Sequence, residues 1–454
     1  MTNGLDVSNP REAAFCVLTR LRKEGGYADR LIDHELAAGF LSGPDRGLFA
    51  ELVFGVLRRQ GTLDHILSQL LVRPLEDLNI SALTCLRLGL YQLVYLDRIP
   101  ESAAVNEAVA TAKKCSSSFA SLVNAVLRNY LRKKDSITFP DKSSALADYI
   151  AARHSHPLWL VRQWIAQLGG HEAEELAEVF SLRPELTLRV NTLRVDRENF
   201  LRRLSAADIQ ARPCVYSPHG ITLSALKGGV RELPGFEEGL FVVQDESSQL
   251  AGLLLGAQPG ERILDVCAAP GGKTAHMAQQ MENRGELLAM DISKSKLSLL
   301  RETAERLGIT IIRTQVSNLL DNTSLPEGLF DRILLDAPCS GLGVIQRNPE
   351  AKWRLGVDDI NRLSETQKKM LNNAIKALKP GGRFLYSTCS TSREENEDVL
   401  QLFLSGRNDC MLENLNECFP LWRGLFSPEG TMRTWPHRHH MDGFFAARLV
   451  KKQS

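Results

Sequence analysis

A glycine-rich turn directly after a short apolar run is the feature that most limits what this chain can fold into. The run Ile263–Val266 leads into the sequence CAAPGGKT at positions 267–274, and a helix-like segment follows. Further apolar runs come later, each separated from the next by a polar or helix-like segment: Leu287–Met290, Ile309–Arg313, Ile333–Leu335 and Phe384–Tyr386. This alternation predicts a parallel, doubly wound α/β sheet, in which ligands bind beyond the carboxyl ends of the strands.

The first 140 residues carry a different pattern, in which apolar residues recur at helical spacing. Asn9 and Pro10, followed by Glu12, predict a capped helix start. Apolar stripes of this spacing continue to Tyr130, and no solenoid-type repeat is evident. We therefore predict an all-helical domain over residues 1–140.

The middle of the chain changes from helix-like to strand-like patterning near residue 186. A polar stretch at 135–148 predicts a linker before it. The runs LTLRVNTL and GLFVVQ are β-like and are interrupted by Gly and Pro. We predict a small α/β linker domain over residues 141–240 and place the larger α/β domain at residues 241–454.

Charge is balanced over the whole chain, with 55 Lys and Arg against 54 Asp and Glu, so composition alone does not indicate a nucleic-acid partner. Local basic stretches do occur, at 128–134 and at 182–212, where seven Arg stand against four acidic residues. A short charge run is also a common solvated surface. We predict phosphate contacts for Arg128, Arg132, Lys133, Arg189 and Arg194.

Several protein classes are not expected from this sequence. The nine Cys include no C-x-x-C pair, which gives no support to a zinc ribbon or a thioredoxin-like motif. His437, His439 and His440 lie close together without paired Cys spacing, so we predict no metal site. An apolar stretch of about 18 residues is absent, and the N-terminus lacks a secretory leader pattern. We expect a cytoplasmic protein with no membrane anchor.

Two kinds of ligand site compete for the glycine-rich turn. Its end, Gly-Lys-Thr at 272–274, matches a nucleotide-binding P-loop, but the first glycine of that pattern falls on Cys267. The second kind is a nucleoside site. Asp291 lies 20 residues after Gly271, at the end of the next predicted strand, where a carboxylate accepts hydrogen bonds from a ribose. Asp291 is also compatible with the N-cap of a helix over 293–306.

Two cysteines follow neighbouring predicted strands, Cys339 after Asp336-Ala-Pro and Cys389 after Ser387-Thr. Two thiols beside a nucleoside cofactor suggest chemistry on carbon 5 of a pyrimidine. That carbon becomes nucleophilic when a thiolate adds to carbon 6, and a base must then remove the carbon-5 proton so that the thiolate can leave. The alternative is a pair of buried structural thiols.

These motifs resemble those of a known family. The runs DVCAAPGGKT, DAPCSGLG and YSTCS, together with Asp291, are similar to the Sun/Nop2-type RNA cytosine-C5 methyltransferases. The N-terminal runs DRGLFAELVFGVLRRQGTLDHIL, LRLGLYQLVYLDRIP and LVNAVLRNYLR resemble a NusB-like RNA-binding domain, and the likeness covers nearly the whole chain. It implies a multidomain fold with an all-α NusB-like N-terminal domain, a small α/β linker domain and an α/β Rossmann-like class I methyltransferase domain.

The resemblance also implies a role for each candidate residue. Cys389 is the expected nucleophile, Cys339 assists release of the product, and Asp336 lies between the methyl donor and the base. We hypothesise that Asp336 is protonated, which would require an apolar pocket. The expected contacts to S-adenosylmethionine are Cys267, Ala268, Ala269, Pro270, Gly271, Gly272, Lys273, Asp291, Ser317 and Asp336.

The resemblance finally implies a substrate, the cytosine numbered 967 of 16S rRNA before subunit assembly, and we expect a monomer. Ser317 stands where the family usually has an acid, so a weaker contact to adenine is expected. Carbon 6 of a paired, stacked base is not accessible, so the target must be unpaired or flipped out. Two other interpretations stay open: the same chemistry on tRNA or another rRNA site, and an RNA-binding adaptor whose methyltransferase domain is inert.

Overall fold

A computed structural model describes residues 7–224, 228–321 and 325–453. The chain folds into two compact units. The first contains Met1–Arg183 together with Ile345–Arg354, and the second contains Pro184–Val344 and Leu355–Ser454. The predicted domain boundaries, near residues 140 and 240, do not coincide with the boundaries of these units. The three domain ranges therefore stay a prediction.

The first unit is built from helices, which agrees with the predicted all-helical N-terminal domain. Asn9 caps the first helix by accepting a hydrogen bond from the Arg11 backbone N–H at 2.9 Å, while the Glu12 carboxylate binds Lys114 at 2.6 Å. Phe49 and Leu52, from one of the predicted stripes, are fully buried in its core. The helices are α1 (Pro10–Glu24), α2 (Ala28–Ala37), α3 (Pro44–Leu70), α4 (Ile80–Tyr95), α5 (Glu101–Cys115), α6 (Ser117–Lys133), α7 (Leu146–His154), α8 (Leu158–Leu168) and α9 (Gly170–Phe180).

The second unit begins with a small antiparallel sheet and one helix. Its elements are β1 (Leu186–Val190), α10 (Arg197–Ala206), β2 (Ala211–Pro213), β3 (Gly220–Leu223) and β4 (Phe241–Val243). The strand order is β2-β3-β1-β4. Leu188, Phe200 and Phe241 are fully buried between the sheet and α10, which confirms the small α/β domain.

A larger sheet follows, with helices between its strands. The elements are α11 (Glu246–Leu255), β5 (Arg262–Asp265), α12 (Gly272–Gln280), β6 (Glu286–Asp291), α13 (Lys294–Leu307), β7 (Ile312–Val316), β8 (Phe330–Asp336), α14 (Ala351–Arg354), α15 (Val357–Ala374), β9 (Leu378–Thr388), α16 (Glu397–Ser405), β10 (Cys410–Leu412), α17 (Leu415–Cys418), β11 (Met432–Thr434), α18 (Pro436–His439) and β12 (Phe444–Lys451). The strand order is β10-β12-β9-β8-β5-β6-β7, with β11 beside β12.

The five strands β5 to β9 pair in parallel, and β12 is antiparallel to β9. The predicted doubly wound sheet is therefore confirmed. One strand was predicted too early, at Ile309–Arg313. The Ile309 backbone N–H still binds the Ala304 carbonyl at 2.9 Å, so the turn that ends α13 takes up these residues before β7 begins. Among the described residues no helix is both long and apolar enough to cross a membrane.

The segment Ile345–Arg354 lies between elements of the large sheet domain in the sequence, but it folds as part of the helical unit. Lys352 in this segment is almost fully buried, at 1% exposure. Its ammonium nitrogen lies 2.5 Å from the Ser155 carbonyl, 3.2 Å from the Arg58 carbonyl and 3.3 Å from Nδ1 of His156. These three contacts fix the segment against the helical unit.

Candidate active site

Two loops after neighbouring parallel strands bring the two predicted cysteines together. β8 and β9 pair with Asp336 opposite Ser387. Cys339 follows the first strand and Cys389 follows the second, and their Sγ atoms are 3.3 Å apart. Both thiols are partly exposed, so they form a reachable pair rather than two separate core thiols.

The two thiols are not equivalent. A hydrogen bond with Cys389, followed by burial, raises the pKa of Cys339 well above its ordinary value. Cys339 is therefore the member of the pair that keeps its proton and can donate it to the Cys389 sulfur. The thiolate is the nucleophilic form of a cysteine, and Cys339 is the less readily ionised member of this pair.

Asp336 lies between this pair and the glycine-rich turn. Lys273 Nζ donates to one of its carboxylate oxygens at 2.7 Å, and the Ser387 hydroxyl donates to the other at 2.8 Å. Burial acts to lower the pKa of Lys273, but the charge and hydrogen bond of Asp336 outweigh it and leave the pKa raised. Both partners of Asp336 donate, so both of its oxygens act as acceptors. These contacts give no support to the hypothesis of a protonated Asp336, which stays a hypothesis.

Asp291 ends β6 on the same edge of the sheet. Its carboxylate accepts hydrogen bonds from the backbone N–H groups of Ala269 at 3.3 Å and Ser293 at 2.8 Å. The N-cap of α13 is Ser293, which accepts from the Lys296 backbone. The interpretation of Asp291 as that N-cap is therefore wrong, and its contact with the glycine-rich turn agrees with a ligand-binding position.

The charges around the turn fit a positively charged ligand. Burial, followed by the charges of Asp265, Asp336 and Asp291, raises the pKa of Cys267 well above its ordinary value. Burial also raises the pKa of Asp265 to about 7, and one of its oxygens has no hydrogen-bond partner among the described residues. Three carboxylates thus converge here, and Lys273 pairs directly with one of them. The negative charge of the group as a whole suits a sulfonium.

Two further residues lie beside Asp291 at this edge. Ile292, directly after Asp291, is an apolar side chain that is 69% exposed. The Ser317 backbone N–H binds the Asp291 carbonyl at 3.1 Å, so Ser317 lies next to Asp291, and its predicted contact to adenine stays a prediction. Sequence reasoning missed Asp265, Ser387 and Ile292, although each ends or directly follows a strand that the apolar runs predicted.

The predicted phosphate contacts divide into two groups. Arg128, Arg132 and Lys133 are exposed near the end of α6, and Arg194 is exposed on the smaller α/β domain. Arg189 is a correction. It is fully buried in β1 and donates to Gln244 and, at 2.6 Å, to the carbonyl of Gly272. A guanidinium in this position cannot reach a phosphate, and it supports the first turn of α12 instead.

No group of three or more His, Cys, Asp or Glu side chains is placed to hold a metal ion in the part of the chain that the structure describes. Comparison with known families agrees with the fold. Residues 252–450 match the family described as 16S rRNA methyltransferase RsmB/F, residues 8–132 match the NusB family, and residues 156–227 match the ferredoxin-like domain of RsmF/B-like methyltransferases.

Individual relatives extend the likeness over almost the whole chain. The probable ribosomal RNA small subunit methyltransferase B of Synechocystis sp. is 37% identical over 446 residues, 97% of this chain and 99% of the relative. The protein of the same description from Bacillus subtilis is 36% identical over 449 residues, 97% of this chain and 98% of the relative. The solved structure of NSun6 from Pyrococcus horikoshii with SFG is 25% identical, with a TM-score of 0.59, over 66% of this chain and 99% of that one.

Proposed function

The chain belongs to the 16S rRNA methyltransferase family RsmB/F, and on that premise we propose that Cys389 attacks carbon 6 of a cytosine so that carbon 5 can be methylated. The protein is an rRNA methyltransferase that uses S-adenosylmethionine, and cytosine-C5 chemistry is typical of its family. The observation that carries the proposal is the pair of unequal thiols, 3.3 Å apart, beside a cluster of carboxylates.

The cofactor supplies a methyl group on a positively charged sulfur when it is bound. The residues proposed to hold it are the turn from Cys267 to Lys273, Asp291 and Ser317, with Ile292 against the adenine. Asp291, together with the partly ionised Asp265, gives this edge the negative charge that a sulfonium requires, because Lys273 balances the charge of Asp336. Asp291 is the proposed acceptor for the ribose hydroxyls.

The two thiols have different proposed roles, attack on carbon 6 and release of the product. The Cys389 thiolate forms a bond to carbon 6, which pushes electron density onto carbon 5. Once the Cys389 sulfur is bonded to carbon 6, it is uncharged and no longer raises the pKa of Cys339, so Cys339 can lose its own proton to solvent. We assign the resulting Cys339 thiolate to accept the carbon-5 proton after methylation. The electron pair of the broken carbon–hydrogen bond forms the 5,6 double bond, and Cys389 leaves as the thiolate.

Asp336 receives a proposed role from its position as the acceptor of two hydrogen bonds. A carboxylate accepts a hydrogen bond from the amino group of cytosine, whereas uracil presents a carbonyl oxygen at the same place. Lys273 and Ser387 hold the Asp336 carboxylate at 2.7 and 2.8 Å. We therefore propose that Asp336 orients the base and favours cytosine over uracil.

The proposed function assigns the RNA to particular parts of the chain. We propose residues 1–140 as the helical RNA-binding domain, 141–240 as the RNA-recognition domain and 241–454 as the methyltransferase domain. The exposed residues Arg128, Arg132, Lys133 and Arg194 are the proposed phosphate contacts. The proposed target is cytosine 967 of 16S rRNA before subunit assembly, modified by a monomer in the cytoplasm.

The test is transfer of labelled methyl from S-adenosylmethionine into unmethylated, protein-free 16S rRNA, with tRNA and assembled 30S subunits alongside and the modified base mapped. We expect a single labelled cytosine, at position 967, in the naked rRNA. Label in tRNA or at another cytosine would overturn the proposed substrate and leave the chemistry standing. Cofactor binding without label in any RNA would favour the adaptor interpretation.

A further inference from the structure

One buried carboxylate joins the two cysteine loops, and the proposed reaction does not use it. Glu395 is fully buried just before α16. The residues directly after the two cysteines, Ser340 and Ser390, both donate their hydroxyl groups to the same oxygen of Glu395, each at 2.5 Å. The Ser340 backbone N–H donates to the other oxygen at 2.8 Å. One side chain therefore holds the residue that follows each thiol.

The surroundings of Glu395 make this junction rigid. Gln367 of α15 is fully buried and donates to Glu395 at 3.0 Å and to the Pro338 carbonyl, also at 3.0 Å. The Tyr386 hydroxyl of β9 donates to the Glu395 backbone carbonyl at 2.5 Å. The two serine hydroxyls also lie 3.0 Å from each other. Four donors bind the two oxygens of the Glu395 carboxylate. All four belong to the two cysteine loops or to Gln367 of α15.

We propose that Glu395 is a positioning residue for methyl transfer, whose carboxylate ties both cysteine loops to one point and thereby fixes the separation of the two thiols. The inference deepens the proposed function and rests on it. Its charge also contributes to the raised pKa of Cys339, after the hydrogen bond to Cys389 and burial. Glu395 thus influences the separation of the two thiols and the pKa of Cys339 without contacting the RNA.

The first test measures the separation of the thiols without any methyl transfer. Phenylarsine oxide binds two thiols that lie side by side, and the Cys389→Ala variant gives the background from the other cysteines. We expect the native pair to be captured and the Glu395→Ala variant to lose this capture. Glu413→Ala is the matched control, because Glu413 is also a largely buried carboxylate that binds two side chains, Arg383 and Arg448, and neither lies in a cysteine loop.

The second test measures catalysis in the same variants. A misplacement of about 1 Å can cost on the order of 100-fold in rate, so we expect a loss of this size in kcat for Glu395→Ala. The KM for S-adenosylmethionine should stay unchanged, because none of the described contacts of Glu395 involves the glycine-rich turn or Asp291. The double variant Ser340→Ala/Ser390→Ala removes only the hydroxyl tethers and should reproduce most of the loss in a folded protein.

The outcomes separate three cases. Native thiol capture and native kcat in Glu395→Ala would overturn the proposal. Native capture with a kcat lowered only in proportion to the folded fraction, measured by thermal unfolding, would also overturn it and leave a structural role. Loss of capture in Glu395→Ala, in a protein whose native form methylates no RNA, would support the positioning of the thiols and reject the proposed function.

Discussion

Two thiols 3.3 Å apart cannot titrate as independent groups. Ionisation of one makes ionisation of the other more costly, so at the residue scale the pair holds at most one thiolate. The raised pKa of Cys339 disfavours loss of its proton. The proposed nucleophile and the proposed release group therefore differ before any RNA is bound.

The assignment predicts different products from two variants. Cys389→Ala should neither methylate RNA nor form a covalent adduct, because no sulfur can reach carbon 6. Cys339→Ala should accumulate a protein–RNA adduct that survives denaturation, because the bond forms but is not released. Denaturing gels of each variant with labelled 16S rRNA give the measurement, and an adduct in Cys389→Ala alone would reverse the two roles.

A second prediction concerns Asp265 and pH. Its carboxyl loses the proton at about pH 4 in the unfolded chain and at about pH 7 in the folded one, because burial raises the pKa. Between these values the folded state binds the extra proton, so the free energy of unfolding decreases as pH rises, by at most about 1.4 kcal/mol per pH unit. Below pH 4 this contribution to stability is fully present.

Urea unfolding at several pH values between 4 and 8, for the native chain and for Asp265→Asn, isolates this residue from the other carboxyls. We expect the free energy of unfolding of Asp265→Asn to decrease less steeply between about pH 4 and pH 7 than that of the native chain. Parallel curves for the two proteins would show that Asp265 ionises normally in the folded state.

At the residue scale, the sequence was sufficient to predict a candidate site residue wherever that residue lies at or just after the end of a strand. Cys339, Cys389 and Asp291 follow strand ends, and a strand end can be predicted from an apolar run. The pairing of Asp336 with Lys273 and the burial of Arg189 beside Gln244 were not predictable, because only the folded chain brings these residues close.

At the element scale, the unusual feature is the segment Ile345–Arg354, which is fixed in the helical unit through Lys352. Substitution Lys352→Ala leaves the carbonyls of Arg58 and Ser155 and Nδ1 of His156 without a buried donor. The expected decrease in the free energy of unfolding is about 2–5 kcal/mol. Urea unfolding at pH 8, followed by tryptophan fluorescence, measures it.

The control is Lys369→Ala, which removes an exposed lysine of α15 and should change stability by less than about 0.5 kcal/mol. Equal stability of the native chain and Lys352→Ala would mean that the segment is held by its other contacts.

The elements themselves were largely predictable, and the exceptions have a local cause. Apolar runs identified the strands of the parallel sheet, since buried parallel strands are apolar on both faces. Ile309 was assigned to a strand because it is apolar and β-branched, but it serves to close the C-terminal turn of α13. The sequence did not predict that Ile345–Arg354 packs in the helical unit. An apolar pattern shows that a segment is buried, but it does not specify which hydrophobic core the segment joins.

At the scale of the whole molecule, RNA affinity is expected to depend on a few exposed cations in a chain of nearly balanced charge. Replacing Arg128, Arg132 and Lys133 with Ala should weaken 16S rRNA binding at low salt. It should also make the dependence of log K on log salt less steep, by about 1 in slope for each phosphate that is no longer neutralised. Filter binding over a range of salt concentrations measures both effects.

The charge-matched control replaces Arg20, Arg284 and Arg407, each of which already pairs with a nearby acid. This triple variant should bind RNA with nearly native affinity and slope. If the two triple variants behaved alike, the end of α6 would be excluded as an RNA contact.

The path of Ile345–Arg354 also has a consequence for how the protein is made. The Ala28 backbone N–H donates to Glu350, 322 positions further along the chain, and residues 184–344 separate the two parts of the helical unit. A ribosome adds about 5–20 residues per second, so the first helices wait roughly 16–64 s for the segment that completes them. During translation the helical unit is therefore the earliest part of the protein to emerge and among the last to be completed. A nascent chain that stalls before Ile345 carries these helices without the segment that completes their unit.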